Sequence, residues 1–221
     1  MKGIKVAELF SLNNSLVSPL FEGAEYPFEV LPKIGEFIKK LGEMLDTDIY
    51  EQIGDQIWIA KSAKVAASAS ITGPCIIGEN AEVRHCAFIR GNAFIGNDCV
   101  VGNSTELKNV VLIGKVQVPH YNYVGDSVLG YGSHMGAGSI TSNVKSDKTL
   151  VTVKLGDEKI ETGLKKFGAI LGDFVEVGCG SVLNPGTVIG AHTNIYPLSS
   201  VRGFVPENSI FKSQECIVKK H

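Results

Sequence analysis

The sequence lacks several features that mark common classes of protein. Its 221 residues include one tryptophan, carry a formal net charge of −2, and hold no basic run longer than Lys219-Lys220. A near-neutral chain without a basic patch argues against nucleic acid as the main partner. No stretch approaches the roughly 18 consecutive apolar residues that a membrane-spanning helix needs. We therefore expect neither nucleic-acid nor membrane binding.

Paired cysteines are also absent, since no Cys-x-x-Cys pair occurs. The five cysteines are odd in number and irregularly spaced: Cys75, Cys86, Cys99, Cys179 and Cys216. The first residues, Met1-Lys2-Gly3-Ile4-Lys5, lack the apolar core and cleavage site of a secretory signal. We therefore expect reduced thiols and a cytoplasmic location, with Cys75 and Cys99 as small residues of the core.

A six-residue repeat dominates the chain instead. Ten successive units begin with a branched aliphatic residue: Ile59, Val65, Ile71, Ile77, Val83, Ile89, Ile95, Val101, Leu107 and Ile113. A period of six fits neither a helix nor a flat strand; it is the hexapeptide signature of a parallel β-helix. The sequence thus predicts an all-β, single-stranded parallel β-helix of about seven coils, whose corners suit the 25 glycines.

The segments that break the repeat define the expected domains. In residues 1–57, apolar residues recur at helical spacing after Pro32, and we expect a helical cap over the open end of the coils. The β-helix is expected at 58–203. A β-hairpin excursion is expected at about 144–166, around Gly156-Asp157.

Two further expectations concern the middle and the end of the chain. The repeat should lose register at Pro119, because proline cannot donate to a strand ladder. Residues 204–221 have little periodicity and are expected to form a C-terminal tail outside the coils.

Three polar motifs lie in or beside the interruptions of the repeat. They are Glu106-Leu107-Lys108, the run from His120 to Asp126 (HYNYVGD), and the run from Gly136 to Asn143 (GAGSITSN). Their order, with Lys108 twelve residues before His120, resembles the acetyltransferase domain of the bifunctional N-acetylglucosamine-1-phosphate uridyltransferase, GlmU. The resemblance covers about residues 80–205. Standalone proteins described as sugar-nucleotide pyrophosphorylase-related look closer still.

The resemblance implies a left-handed coil, a homotrimer with sites between subunits, and a role for each matching residue. His120 matches the catalytic base, and Arg90 and Lys108 match cationic ligands of the sugar phosphate. Tyr123 matches a substrate contact. Ala137 matches a position at acetyl-coenzyme A, and Asn143 a position at the acceptor.

Several positions depart from the pattern of the family. His134 stands where the family has a substrate-contacting Asn, and Val144 replaces a Tyr. Cys179 replaces a Ser near coenzyme A, and Lys212 stands for a C-terminal Arg. We retain His134 as a substrate-binding candidate and Cys179 and Lys212 as cofactor-binding candidates, while the departures leave the identity of the acceptor open.

The chemistry of these groups is coherent. An imidazole can accept the proton of an attacking amine near neutral pH, and backbone N–H groups of Gly136-Ala137-Gly138 could stabilise the oxyanion formed from a thioester. Asp126 could orient His120. The hypothesis is an acyl-coenzyme A-dependent N-acyltransferase that uses acetyl-CoA and acts on an amino-sugar phosphate or a nucleotide sugar of the UDP-N-acetylglucosamine type.

Other interpretations stay open. Each candidate residue could be an ordinary surface or corner residue, so a non-catalytic trimeric scaffold or sugar-nucleotide-binding module is the alternative. A zinc enzyme like carbonic anhydrase is a third, but it needs three protein ligands, and position 125, five residues after His120, is Gly. We therefore predict no metal site within one subunit, while a site between the histidines of different subunits stays open. The chain also lacks a Gly-rich nucleotide loop followed by an α/β domain, so we expect no nucleotidyl transfer.

Overall fold

The computed structural model describes residues 3–13 and 15–220. The chain forms an all-β, single-stranded, left-handed parallel β-helix with a helical N-terminal segment, which confirms the predicted fold class. It has about nine turns, more than the roughly seven expected. The coil continues through Phe204–Val205 and Ser209–Ser213, so the prediction that residues 204–221 lie outside the coils is wrong for these two strands. None of the helices in this described part is long and apolar enough to cross a membrane.

Each full turn of the coil crosses three flat faces. Face 1 holds Ser70–Thr72, Phe88–Arg90, the first halves of Glu106–Leu112 and Tyr123–Leu129, Ile140–Thr141, Val182–Leu183 and Ser200–Val201. Face 2 holds Ile57–Ala60, Cys75–Ile77, Ala93–Ile95, the second halves of those two long strands, Ala169–Leu171, Thr187–Ile189 and Phe204–Val205. Face 3 holds Lys64–Val65, Glu82–Val83, Val100–Asn103, Gln117–His120, His134–Met135, Glu176–Val177, Asn194–Ile195 and Ser209–Ser213.

The aliphatic residues of the repeat form the inner core. On face 2, Ile77 pairs with Ile95, and Ile95 with Leu112, and each is fully buried. Parallel strands lie ~4.8 Å apart, so every turn covers the aliphatics of the next. Burying one such side chain contributes about 1.5–3 kcal/mol. The repeat therefore stabilises the coil turn by turn.

The two cysteines predicted to fill small core positions do so. Cys75 and Cys99 are free and fully buried, and burial raises the pKa of each thiol to about 12. The other three cysteines are free and exposed.

The register of the repeat changes earlier than predicted. Leu112 enters the inner core, whereas Ile113 packs on the outside. The corner between the two halves of Glu106–Leu112 contains a single left-handed residue, Asn109 (φ 53°). Asp126 (φ 48°) forms the same short corner one turn later. The prediction that the repeat loses register at Pro119 is wrong, because Pro119 lies within the strand Gln117–His120. This strand ends beside a corner, where the missing N–H of a proline costs little.

The helices of the N-terminal segment cover a side of the coil, whereas the sequence predicted that they would cover its open end. It contains the helices Val6–Leu9 and Ile34–Gly42 and the 3₁₀ helices Ser18–Phe21 and Pro27–Lys33. The outward positions of face 2 are apolar in every turn: Trp58, Ile76, Phe94, Val111, Val128, Ile170 and Val188. They pack against Phe28, Ile34 and Ile38 in a second core. The segment lies here because an apolar outer column needs a cover.

Antiparallel strands complete the fold. The hairpin Thr152–Leu155 and Glu158–Glu161 leaves the corner between faces 1 and 2. Tyr50–Gly54 pairs with the first strand of face 2, and Cys216–Lys219 with the last strand of face 3. These outer strands pair the ladder edges at both ends of the coil.

Candidate functional site

The corner between face 3 and face 1 brings three sequence candidates into one row. In this corner a residue of one turn donates its N–H to a carbonyl of the turn before. Gly138 donates to His120 at 3.0 Å, and Gly180 donates to Ala137 at 2.9 Å. His120, Ala137 and Cys179 therefore occupy equivalent positions on successive turns, ~4.8 Å apart. The candidate base and two candidate coenzyme A contacts are neighbours.

Lys212 lies further along the same edge of face 3. The N–H of Leu198 donates to the carbonyl of Cys179 at 2.9 Å, and the N–H of Tyr196 donates to the carbonyl of Phe211 at 2.9 Å. Lys212 follows Phe211, and its Nζ lies 5.9 Å from the centre of the Tyr196 ring. It is four turns beyond His120, a separation of about 19 Å along the coil axis.

The Gly-rich turn presents a free backbone donor. Within residues 136–139, Gly138 donates to His120 and Ser139 donates to Gly136. The N–H of Ala137 has no hydrogen-bond acceptor among the described residues, and Ala137 is exposed. This N–H is available to a ligand oxygen, as an oxyanion donor must be.

Asn122 is a site residue that the motif comparison missed. It is 2% exposed, and its Oδ1 accepts the backbone N–H of His120 at 3.0 Å. Its Nδ2 donates to the carbonyls of Gly136 at 2.9 Å and Ser139 at 3.0 Å. It thus fastens the turn of His120 to the Gly-rich turn. A signal existed, because this slot otherwise holds small residues: Ala87, Thr105, Ser139 and Ser181.

Face 1 carries the candidate substrate contacts. An N–H of the Arg90 guanidinium donates to Glu106 at 2.6 Å, and the Arg90 side chain stays 46% exposed. Tyr123 follows on the next turn, where its hydroxyl accepts an N–H of Asn143 at 3.3 Å. Burial, aided by the negative charge of Asp126, raises the pKa of Tyr123. The phenol therefore remains a proton donor at neutral pH.

Asp126 is the centre of a buried network at the opposite edge of face 1. Lys108 Nζ donates to its two carboxylate oxygens at 2.9 and 3.1 Å. Asn109 and Asn143 donate to the same carboxylate at 3.0 and 2.5 Å. These donors occupy both oxygens of Asp126, which rules out the expected contact with His120 in this arrangement. Breaking such a buried pair by removing one partner costs about 3–5 kcal/mol.

His134 lies apart from the face 1 residues. It projects outward from face 3, where its Nδ1 is 2.8 Å from a carboxylate oxygen of Glu176. Its role with substrate stays a prediction. Among the residues that the structure describes, no group of three or more His, Cys, Asp or Glu side chains is arranged to hold a metal ion.

Comparison with known proteins agrees with this fold. Residues 71–205, more than half of the chain, match the family model described as the GMPPB C-terminal domain. The chain belongs to the GMPPB C-terminal domain family. The matched range includes eight of the nine candidate residues; the ninth, Lys212, lies beyond it.

The relatives of this GMPPB C-terminal domain member include proteins whose names contain the word acetyltransferase. The bifunctional protein GlmU of Methanococcus aeolicus is 33% identical over 116 residues, covering 52% of this chain and 28% of that protein. The bifunctional sugar-1-phosphate nucleotidylyltransferase/acetyltransferase of Sulfurisphaera tokodaii is 36% identical over 107 residues, 48% of this chain and 27% of that protein. The likeness to GlmU is thus confirmed, although the chain spans little more than a quarter of these proteins.

A third relative is closer in extent. The putative uncharacterized acetyltransferase YaiX of Escherichia coli K12 is 29% identical over 175 residues, which are 79% of this chain and 76% of that protein.

Proposed function

We propose that this chain is an acyl-coenzyme A-dependent acyltransferase that acetylates the amine of an amino-sugar phosphate or nucleotide sugar. The observation that carries the proposal is the row of His120, Ala137 and Cys179 along one edge of face 1. Arg90 and Tyr123 project from that same face. The acetyltransferase names of two relatives support it.

Acetyl-CoA is the proposed donor, and it would lie along the corner. Its thioester would sit at Ala137 and its arm would pass Cys179. Its phosphates would reach Lys212, three turns or about 14 Å from the thioester along the coil axis, which is within the reach of an extended pantetheine arm. Lys212, Lys219 and Lys220 line one cleft there with Tyr196, and their positive charge suits phosphate groups.

The reaction then follows from the groups at the corner. The amine nitrogen of the acceptor attacks the thioester carbon, and the imidazole of His120 takes a proton from that amine. The N–H of Ala137 stabilises the oxyanion. The C–S bond then breaks, and the leaving thiolate of coenzyme A takes the proton from His120. Arg90, Tyr123 and Asn143 would hold the acceptor, with Lys108 and His134 as further candidates.

A homotrimer is part of the proposal. The corner that bears His120 also exposes Tyr121 and Leu198, which are 63% and 85% accessible in the single chain. Exposed apolar side chains beside a site suit packing against a second subunit. A neighbouring copy would close the groove in which donor and acceptor meet.

The test is acetyl-CoA turnover with glucosamine-1-phosphate and a panel of amino-sugar phosphates and amino nucleotide sugars. His120→Asn should lower kcat by about 10²–10⁴-fold. The matched control is His85→Asn, since His85 occupies the same row two turns earlier. Its carbonyl accepts the N–H of Ser104, as the carbonyl of His120 accepts the N–H of Gly138. The control should keep full activity. Absence of turnover with every acceptor, together with no binding of coenzyme A, would contradict the proposal.

A second candidate is a non-catalytic sugar-nucleotide-binding or scaffold module. It is favoured by the ion pairs of face 1, because Arg90 and Lys108 are both matched with carboxylates in the single chain. This candidate predicts binding of a nucleotide sugar without turnover, and equal affinity in the wild type and in His120→Asn.

A further inference from the structure

We propose that Asp126 is a positioning residue that withdraws Lys108 from anion binding and leaves Arg90 to bind the phosphate of the acceptor. The inference rests on the proposed function for the identity of that acceptor. It reverses the role that sequence resemblance gives to Lys108.

The first observation is the burial of Asp126. The residue is 3% exposed, and its carboxylate forms an ion pair with Lys108, whose ammonium contacts both carboxylate oxygens. A buried carboxylate binds a cation more firmly than a solvated one, because little water screens the pair. A ligand phosphate would have to compete with this carboxylate for Lys108.

The second observation is that Asp126 cannot follow Lys108 outward. The two short corners stack, so that the side chain of Asn109 bonds Asp126 at 3.0 Å and also the carbonyl of Leu31 at 3.2 Å. The backbone carbonyl of Asp126 accepts the N–H of Gly168 at 2.8 Å, where the chain returns from the hairpin. Asn109, which is itself bonded to the N-terminal segment, and the hairpin return at Gly168 hold the acid, and the acid in turn fixes the ammonium in place.

Arg90 stands in the opposite situation. Its side chain is 46% exposed and its partner Glu106 is 33% exposed. One N–H of the guanidinium contacts Glu106, and a guanidinium has five N–H donors, so others remain for a phosphate. An exposed ion pair is also easily displaced. Arg90 is therefore the cation of face 1 that can bind an anion.

Asp126 also positions Tyr123 through Asn143. Asn143 donates to Asp126 at 2.5 Å and to the Tyr123 hydroxyl at 3.3 Å. The carboxylate of Asp126 holds the amide nitrogen of Asn143 in place. This nitrogen also contacts the hydroxyl oxygen of Tyr123 and therefore fixes its position. The chain from Asp126 through Asn143 thereby directs the Tyr123 O–H toward the acceptor.

The experiment measures binding of inorganic pyrophosphate by calorimetry at low salt, which needs no catalytic activity. Arg90→Gln should weaken binding about tenfold. Asp126→Asn, which keeps the size of the side chain, should strengthen it about tenfold by releasing the ammonium. Adding Lys108→Met to Asp126→Asn should return the affinity to the wild-type value. A merely structural role for Asp126 predicts no gain.

A second variant guards against misfolding. Lys108→Met with Asp126→Leu replaces the ion pair by apolar side chains, a change that buried pairs often tolerate. Its affinity for pyrophosphate should equal that of the wild type. A loss as large as that of Arg90→Gln would show that Lys108 binds anions directly and would overturn the proposal, as would a failure of Asp126→Asn to gain affinity. Absence of acetyl transfer would affect only the proposed function.

Discussion

The rings of Phe28 and Phe167 lie with their centres 5.6 Å apart and join the N-terminal segment to the end of the hairpin excursion. Both belong to the second core outside face 2. Phe167 is fully buried, whereas Phe88 on face 1 is 41% exposed. The same residue type thus occurs in a buried and an exposed position.

Phe167→Ala should lower the free energy of unfolding by about 3–5 kcal/mol, because it leaves a cavity between two segments. Chemical denaturation provides the measurement. Phe88→Ala is the control and should change stability much less. Equal effects of the two substitutions would mean that the second core adds little to the stability of the coil.

Asn122→Ala should destabilise the chain by about 1–3 kcal/mol, since it removes the partner of the Ser139 carbonyl and the acceptor of the His120 N–H. Because Asn122 also holds the N–H of His120, kcat should fall while the KM for acetyl-CoA changes less. Asn194→Ala is the matched control for stability alone, because Asn194 lines the cleft proposed for coenzyme A. It is half-buried on face 3 with no side-chain hydrogen bond among the described residues, and its substitution should shift the free energy of unfolding by less than about 0.5 kcal/mol. A kcat unchanged by Asn122→Ala would argue against this positioning role.

Thiol reactivity should divide the five cysteines into two groups. Burial raises the pKa of Cys75 and Cys99 to about 12, and the thiolate is the reactive form. At pH 8 an aromatic disulfide reagent should therefore modify Cys86, Cys179 and Cys216 in the native protein and all five cysteines in denaturant. Rapid reaction of a fourth thiol in the native state would contradict the packing of the inner core.

Gly125→Ala should alter acceptor binding without unfolding the coil. A Cβ at this position would lie 2.5 Å from the Tyr123 hydroxyl oxygen and 3.0 Å from the Asn143 amide nitrogen. Both are ends of side chains, which can move aside. We expect a higher KM for the acceptor and an unchanged affinity for coenzyme A, measured by steady-state kinetics and calorimetry. A change confined to coenzyme A would place the acceptor elsewhere.

The N-terminal segment illustrates a limit of reading one periodicity. The hexapeptide repeat marks residues that point inward, such as Ile77 and Ile95, and that interpretation was confirmed. The outward residues Ile76 and Phe94 are also apolar, but they recur only once per turn of three units. That weaker, longer period is what directs the helices to face 2.

The candidate site divides in the same way. The family resemblance proposed His120, Ala137 and Cys179 individually, and the equal spacing of turns places them in one row. The pairing of Lys108 with Asp126 could not be read from the sequence, because it depends on the corner at Asn109 being one residue shorter than the regular ones. A one-residue change in a corner decides which polar side chains meet.

The sequence by itself determined the coil, because burial of an aliphatic residue every six positions is a local pattern repeated along the chain. Only the tertiary structure decided that Asp126 binds Lys108 instead of His120, and that the helices cover face 2. Those contacts join residues from different turns and segments. Their energies depend on burial and on the exact lengths of corners, and neither quantity is contained in the period of the repeat.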